Sequence, residues 1–107
     1  MSSSHLEGFL LCLDEERFYD AHEELEHVWF PRRFEKDSEM LLLKGYINAA
    51  VSFELIKKGR KDSAQKAYNT YLKYRDLRLH VSSLYNEKYL IIEQKLNTLA
   101  KERNLND

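Results

Sequence analysis

Residues 40–59 read MLLLKGYINAAVSFELIKKG, and this stretch decides the fold class. Its apolar side chains recur around almost the whole circumference of the helix that they predict, which is typical of a helix contacted on several sides. Asp37 or Ser38 predicts the start of this helix, and Gly59 predicts its end. Another helix is expected to approach its backbone closely where three small residues share one narrow sector: Gly45, Ala49 and Ser52.

Two helices are predicted before this central one. The first carries apolar residues at helical spacing from Leu6 and runs to about Asp14. The second shows a stripe of apolar residues from Phe18 to Trp29, and it must stop near there because Pro31 cannot continue a helix.

Two more helices are predicted after the central one. Asp62 with Gln65 predicts the cap of the fourth helix, and the fifth is expected to start between Ser83 and Glu87. Short connections favour antiparallel neighbours. The sequence therefore predicts an all-α fold, a compact up-and-down bundle of about five helices that forms a single domain over residues 1–107.

Charge and composition limit the classes of partner. The 107 residues carry a net charge of -1, so no overall field attracts nucleic acid or an anionic membrane. The densest basic stretch, residues 57–61, lies where a helix ends, and cations are favourable there without a ligand. Neither a signal-peptide pattern nor a membrane-length apolar stretch is present, and a lone Cys12 agrees with a reducing compartment. We expect a cytoplasmic protein that binds neither nucleic acid nor membrane.

The densest group of functional side chains lies in residues 18–29, FYDAHEELEHVW. In helical projection the apolar stripe defines 0°, His22 falls at about 40°, Glu26 at about 80° and Tyr19 near 100°. His22 is therefore aimed inward, and Glu26 lies one turn further on, close enough for a hydrogen bond or a shared ligand.

Two interpretations of this pair stay open. In the first, His22 is a boundary histidine whose imidazole is held by Glu26 to relieve its burial. In the second, Glu26 orients the imidazole in a small polar pocket and leaves its other nitrogen for a ligand, a metal or a proton transfer. Glu23 or Tyr19 could join such a pocket, and Asn48, an amide within the apolar central helix, is the candidate opposite group.

A ferritin-like metal site is the less favoured alternative in the same segment. Glu24 and His27 have the Glu-x-x-His spacing of di-metal carboxylate bundles. However, they project at about 240° and 180°, away from the apolar stripe, and the sequence contains no second Glu-x-x-His motif.

Two segments resemble a small bacterial and archaeal family known as domain of unknown function 309. Residues 19–29, YDAHEELEHVW, are similar to its aromatic-acid-Ala-His-Glu-x-Leu-Glu-x-x-Trp signature, and residues 43–51, LKGYINAAV, to its Leu-Gln-Gly-Leu-Ile-Gln-Leu-Ala stretch. Lys44 stands where the family has Gln, and Leu55 where relatives often show His. The resemblance implies a helical bundle and no established activity. It singles out His22, Glu23, Glu26, Trp29 and Gly45, with Asn48 where the family usually has Gln.

Two classes of function are therefore carried forward. The first is a non-enzymatic binding or interaction module whose polar site surrounds His22, Glu26 and Trp29 and takes a protein partner, a second copy of the chain or a small ligand. The alternative is a metal-assisted hydrolase or proton-transfer enzyme that uses His22, Glu23 and Glu26. No cofactor is required by the sequence, and a divalent metal at His22 and Glu26 is the one candidate.

Overall fold

A computed structural model describes residues 3–107 of the chain. Within this range five α-helices and two short 3₁₀ helices form, and no strand does. The α-helices are α1 (Ser3–Asp14), α2 (Phe18–Trp29), α3 (Ser38–Lys57), α4 (Lys61–Arg75) and α5 (Asn86–Glu102). The 3₁₀ helices, Phe30–Arg32 and Asp76–His80, follow α2 and α4. The prediction of an all-α bundle of five helices is confirmed.

The helices alternate in direction along the chain. Two ion pairs join α1 to α5. Glu7 Oε1 lies 3.2 Å from Lys88 Nζ, and about two turns further along both helices Asp14 Oδ1 lies 2.8 Å from Lys95 Nζ. The first and fifth helices are therefore parallel, as up-and-down connectivity requires. In the part of the chain that the structure describes, no helix has the length and apolar character needed to cross a bilayer.

The central helix α3 packs against α2, α4, α5 and the second 3₁₀ helix. This explains its apolar circumference, because side chains on every side of it are withdrawn from water. Its closest neighbour at Gly45 is α4: a Cβ atom added to Gly45 would lie 3.2 Å from Cβ of Tyr74 and 3.5 Å from Cα of Tyr71. The absent side chain thus sets the distance between the two backbones.

A larger residue at Gly45 is expected to force α3 and α4 apart. We expect Gly45→Val to lower the free energy of unfolding by about 2 kcal/mol, because the atoms that it meets are the Cβ of Tyr74 and the backbone of Tyr71, which cannot swing aside. Gly45→Ala should cost less, since its higher helix propensity offsets part of the crowding. Urea unfolding measures both variants, and a valine variant as stable as the wild type would contradict the close contact.

The ends of α3 form as predicted. Asp37 accepts a hydrogen bond from the backbone N–H of Met40 at 3.0 Å, which caps the first turn. After the last turn Gly59 has a φ of +73°, and the N–H of Arg60 donates to the carbonyl of Leu55 at 2.9 Å. A residue with positive φ is needed there, and glycine adopts it without strain.

The predicted cap of α4 is wrong. The helix already begins at Lys61, and Arg60 at its N-cap position makes no side-chain cap bond. The Gln65 amide reaches the C-terminal segment: Nε2 donates to the Asn106 carbonyl at 2.8 Å, and Oε1 accepts from the Asn106 N–H at 2.9 Å. Asn106, which is distant in sequence, thus binds the Gln65 amide that the local pattern assigned to the helix cap.

Two lysines of the basic stretch bind backbone carbonyls. Lys57 Nζ donates to the Glu16 carbonyl at 2.6 Å, and Lys61 Nζ donates to the Asn104 carbonyl at 2.5 Å. Glu16 and Asn104 have φ values of 55° and 58°, in the left-handed region. Both ammonium groups therefore satisfy carbonyls at the turns that follow α1 and α5.

Four tyrosines have no exposed side-chain surface and lie where α3, α4 and α5 meet. Each hydroxyl has a polar partner, which offsets the cost of its burial. The pairs are Tyr46 with Glu93 (2.5 Å), Tyr89 with Glu39 (2.5 Å), Tyr71 with Asn97 (3.0 Å) and Tyr68 with Asp107 (3.3 Å).

Candidate functional site

The candidate site lies on the second helix, next to its buried stripe. Phe18, Ala21 and Leu25 anchor α2 in the core, which leaves His22 and Glu26 at the boundary with water. His22 Nε2 and Glu26 Oε2 are 2.5 Å apart, and their side chains are 22% and 32% exposed. The predicted i,i+4 pair forms, with a carboxylate holding one imidazole nitrogen.

Glu23 and Tyr19 extend this pair into a cluster. His22, Glu23 and Glu26 each offer a ligand atom, and these atoms all lie within 4.8 Å of one another. The negative charge of Glu23 raises the pKa of the Tyr19 phenol above its ordinary value. The rings of Tyr19 and His22 meet edge to face, with centroids 5.8 Å apart.

A cavity of about 180 Å³ opens between α2 and α3 on the His22 side of this cluster. Its apolar wall is formed by Phe18, Val51 and Leu55, and its polar wall includes His22. The lining is completed by Tyr19, Glu54 and Lys58. The cavity thus combines an apolar surface with an imidazole, a phenol and charged groups of both signs.

Other residues singled out by the sequence have different surroundings. Trp29 packs against the apolar core, and its ring centroid lies 6.5 Å from that of Phe30. The Asn48 amide donates to the Lys44 carbonyl of its own helix at 2.9 Å. Gly45 is buried against α4. None of these three lines the cavity beside His22.

Glu24 and His27 face the first helix. Glu24 Oε2 lies 3.1 Å from His5 Nδ1, and the rings of His5 and His27 stack with centroids 6.0 Å apart. Gly8 makes room for the Glu24 carboxylate, because a Cβ there would lie 2.8 Å from Glu24 Cδ. The Glu-x-x-His motif therefore joins α1 to α2 and lies apart from the His22 cluster.

Sequence reasoning missed the wall of the cavity that α3 contributes. Val51, Leu55 and Lys58 are spaced at i, i+4 and i+7, so that they share one face of the helix. This spacing was readable in the sequence. The register of α3 against α2, which brings that face opposite His22, depends on packing and was not.

The fold and the site together define a class: an all-α helical bundle that carries a His–carboxylate cluster beside a mostly apolar cavity. Residues 6–67, more than half of the chain, match the family model for the domain of unknown function DUF309, and the chain belongs to this family. The chain has no significant match among curated proteins or among solved structures.

Proposed function

We propose that the protein is a binding module for a small molecule, which occupies the cavity between α2 and α3. One observation carries the proposal: His22, held by Glu26 at 2.5 Å, is part of the wall of that cavity. Concave, mostly apolar sites with a few oriented polar groups are the usual form of small-ligand sites. A protein partner would more often use a broad and flatter surface.

The imidazole supplies the specificity of such a site. Because Glu26 Oε2 lies 2.5 Å from Nε2, the orientation of the ring is restricted. The second nitrogen, Nδ1, then serves as a hydrogen-bonding group for a ligand. Glu54 and Lys58 at the cavity add an acceptor and a donor, so both anionic and cationic head groups have a partner.

A set of four small probes tests the proposal: benzoate, hexanoate, benzyl alcohol and benzylamine. Ligand-observed NMR measures their binding, and the imidazole resonances of His22 report its site. We expect at least one probe to bind with a Kd of about 1 mM or tighter, an affinity that a molecule with so few non-hydrogen atoms can reach. Leu55→Trp, which fills the cavity, should weaken that binding at least about tenfold through steric exclusion.

Leu84→Trp is the matched control, because Leu84 is 99% exposed and lies outside the cavity lining. It should leave the binding of every probe unchanged. Failure of all four probes to bind, or equal binding to the wild type and Leu55→Trp, would reject the cavity as the ligand site.

A further inference from the structure

We infer that His22, Glu23 and Glu26 bind one divalent transition-metal ion of the Zn²⁺ type. Among the residues that the structure describes, these three form the group of His, Cys, Asp or Glu side chains whose ligand atoms converge, all within 4.8 Å of one another. The inference rests on the proposed function in one respect, since the adjacent cavity supplies the space for the non-protein ligands of the ion.

The spacing of His22 and Glu26 is that of the two ligands in a known helical metal motif, with one ligand changed. Residues 22–26 read HEELE, so that a His and a Glu occupy positions i and i+4 on one face of α2. In the His-Glu-x-x-His motif the same two positions hold the zinc ligands. Here a carboxylate takes the second position, and carboxylate oxygens are also ordinary zinc ligands.

His22 Nε2 and Glu26 Oε2 are close enough to bind the same ion. The two atoms lie 2.5 Å apart. A tetrahedral ion bound at roughly 2.1 Å from each atom would move the two atoms apart to roughly 3.4 Å. Both side chains are partly exposed and free to make this small adjustment.

The donor set selects the class of ion. Two carboxylates offset the charge of a divalent ion, and the imidazole nitrogen favours Zn²⁺ and similar transition metals over Mg²⁺ or Ca²⁺, which prefer oxygen ligands. The phenol of Tyr19 lies close enough to Glu23 for the carboxylate charge to raise its pKa, so it belongs to the surroundings of the proposed ion. Three protein ligands leave a fourth position for water or for a molecule in the cavity.

This open position links the ion to the enzymatic alternative. In catalytic zinc sites three protein ligands leave one position for water, and the ion lowers the pKa of that water. A metal-assisted hydrolase built on His22, Glu23 and Glu26 needs such an ion. The binding module is compatible with the ion but does not require it, so loss of metal would abolish only the enzymatic activity.

Zinc binding to the whole chain, purified without chelator or affinity tag, tests the inference. Titration with Zn²⁺ followed by calorimetry, and elemental mass spectrometry of the dialysed protein, should give one ion per chain. Glu26→Gln, which keeps the size of the side chain, should weaken the affinity at least about tenfold, as should His22→Ala. Mg²⁺ at the same concentration should not compete.

The second helix provides a matched control. His27→Ala removes an imidazole from the same helix, but that ring stacks on His5 and belongs to the face toward α1. It should leave zinc binding unchanged. Co²⁺ is a second probe, because its visible absorption should appear in the wild type and be lost in Glu26→Gln. Circular dichroism confirms that each variant is helical.

The outcomes separate this inference from the proposed function. Absence of zinc binding, or equal loss in Glu26→Gln and His27→Ala, would overturn the metal site, and the small-probe experiment would still stand in metal-free protein. Zinc binding that depends on His22 and Glu26, together with failure of every probe, would support the ion and reject the cavity ligand.

Discussion

Above about pH 10 the protein is expected to lose about 5 kcal/mol of stability for each pH unit and to unfold between roughly pH 11 and 12. The cause is the group of four tyrosines without exposed surface. Burial is the largest influence on each of them and raises the pKa of all four phenols well above the ordinary value. They are Tyr46, Tyr68, Tyr71 and Tyr89.

The sign of the effect follows from proton linkage. A phenol whose pKa is raised in the folded state contributes stability that is fully present below its unfolded pKa of about 10. Above that pH the unfolded chain releases the proton and the folded chain retains it, so stability falls until the folded pKa is reached. Each such tyrosine contributes about 1.4 kcal/mol per pH unit, and four act together.

Tyrosinate absorbance and circular dichroism, recorded on the same samples, measure this transition. The absorbance of the four buried rings should rise only as the helices unfold. Tyr71→Phe removes one of the four phenols and should lower the pH dependence by about a quarter. Tyr19→Phe should lower it less, because Tyr19 is 59% exposed and its pKa is raised chiefly by the charge of Glu23, which water screens. Ionisation of all 7 tyrosines near pH 10 with the helices intact would contradict the argument.

Replacement of Arg78 by Met is expected to lower the free energy of unfolding by about 3 to 5 kcal/mol. Arg78 Nε donates to Glu93 Oε1 at 2.9 Å, and the Glu93 side chain is only 6% exposed. Tyr46 occupies the other carboxylate oxygen. Without the guanidinium, the carboxylate would be a buried charge whose remaining partner is a neutral phenol.

Two further variants test this explanation. Arg78→Met with Glu93→Gln should recover part of the loss, because the buried group is then neutral and its amide still bonds Tyr46. Arg32→Met removes an arginine from an exposed pair with Glu35 and should cost less than about 1 kcal/mol. Urea unfolding compares them, and equal losses for Arg78→Met and Arg32→Met would show that burial of the carboxylate is not the cause.

Local sequence patterns were sufficient to predict the five α-helices and most of their ends. The cap at Asp37, the left-handed turn at Gly59 and the start of α5 at Asn86 all depend on residues near in sequence, and all were predicted. The cap at Asp62 and Gln65 failed because Asn106 competes for the Gln65 amide. A local capping pattern predicts correctly only where none of its residues forms a hydrogen bond with a group distant in sequence.

The geometry of the candidate site was predicted in part. The His22–Glu26 pair depends on i,i+4 spacing within one helix, and Tyr19 and Glu23 lie within one turn of it. The cavity was not predicted, because four of its seven lining residues come from a second helix and its C-cap. Its depth depends on how far α2 and α3 slide past one another.

The sequence by itself determined the number of helices, most of their ends, the face that each helix buries and the pairing of His22 with Glu26. These features depend on backbone geometry and on neighbours within a few residues. Only the tertiary structure decided which distant partners meet: Arg78 with Glu93, Gln65 with Asn106, and the α3 wall with His22. The physical reason is that helix periodicity specifies on which face of its own helix a residue lies. How far two helices are shifted along one another is decided by the packing of all the side chains together.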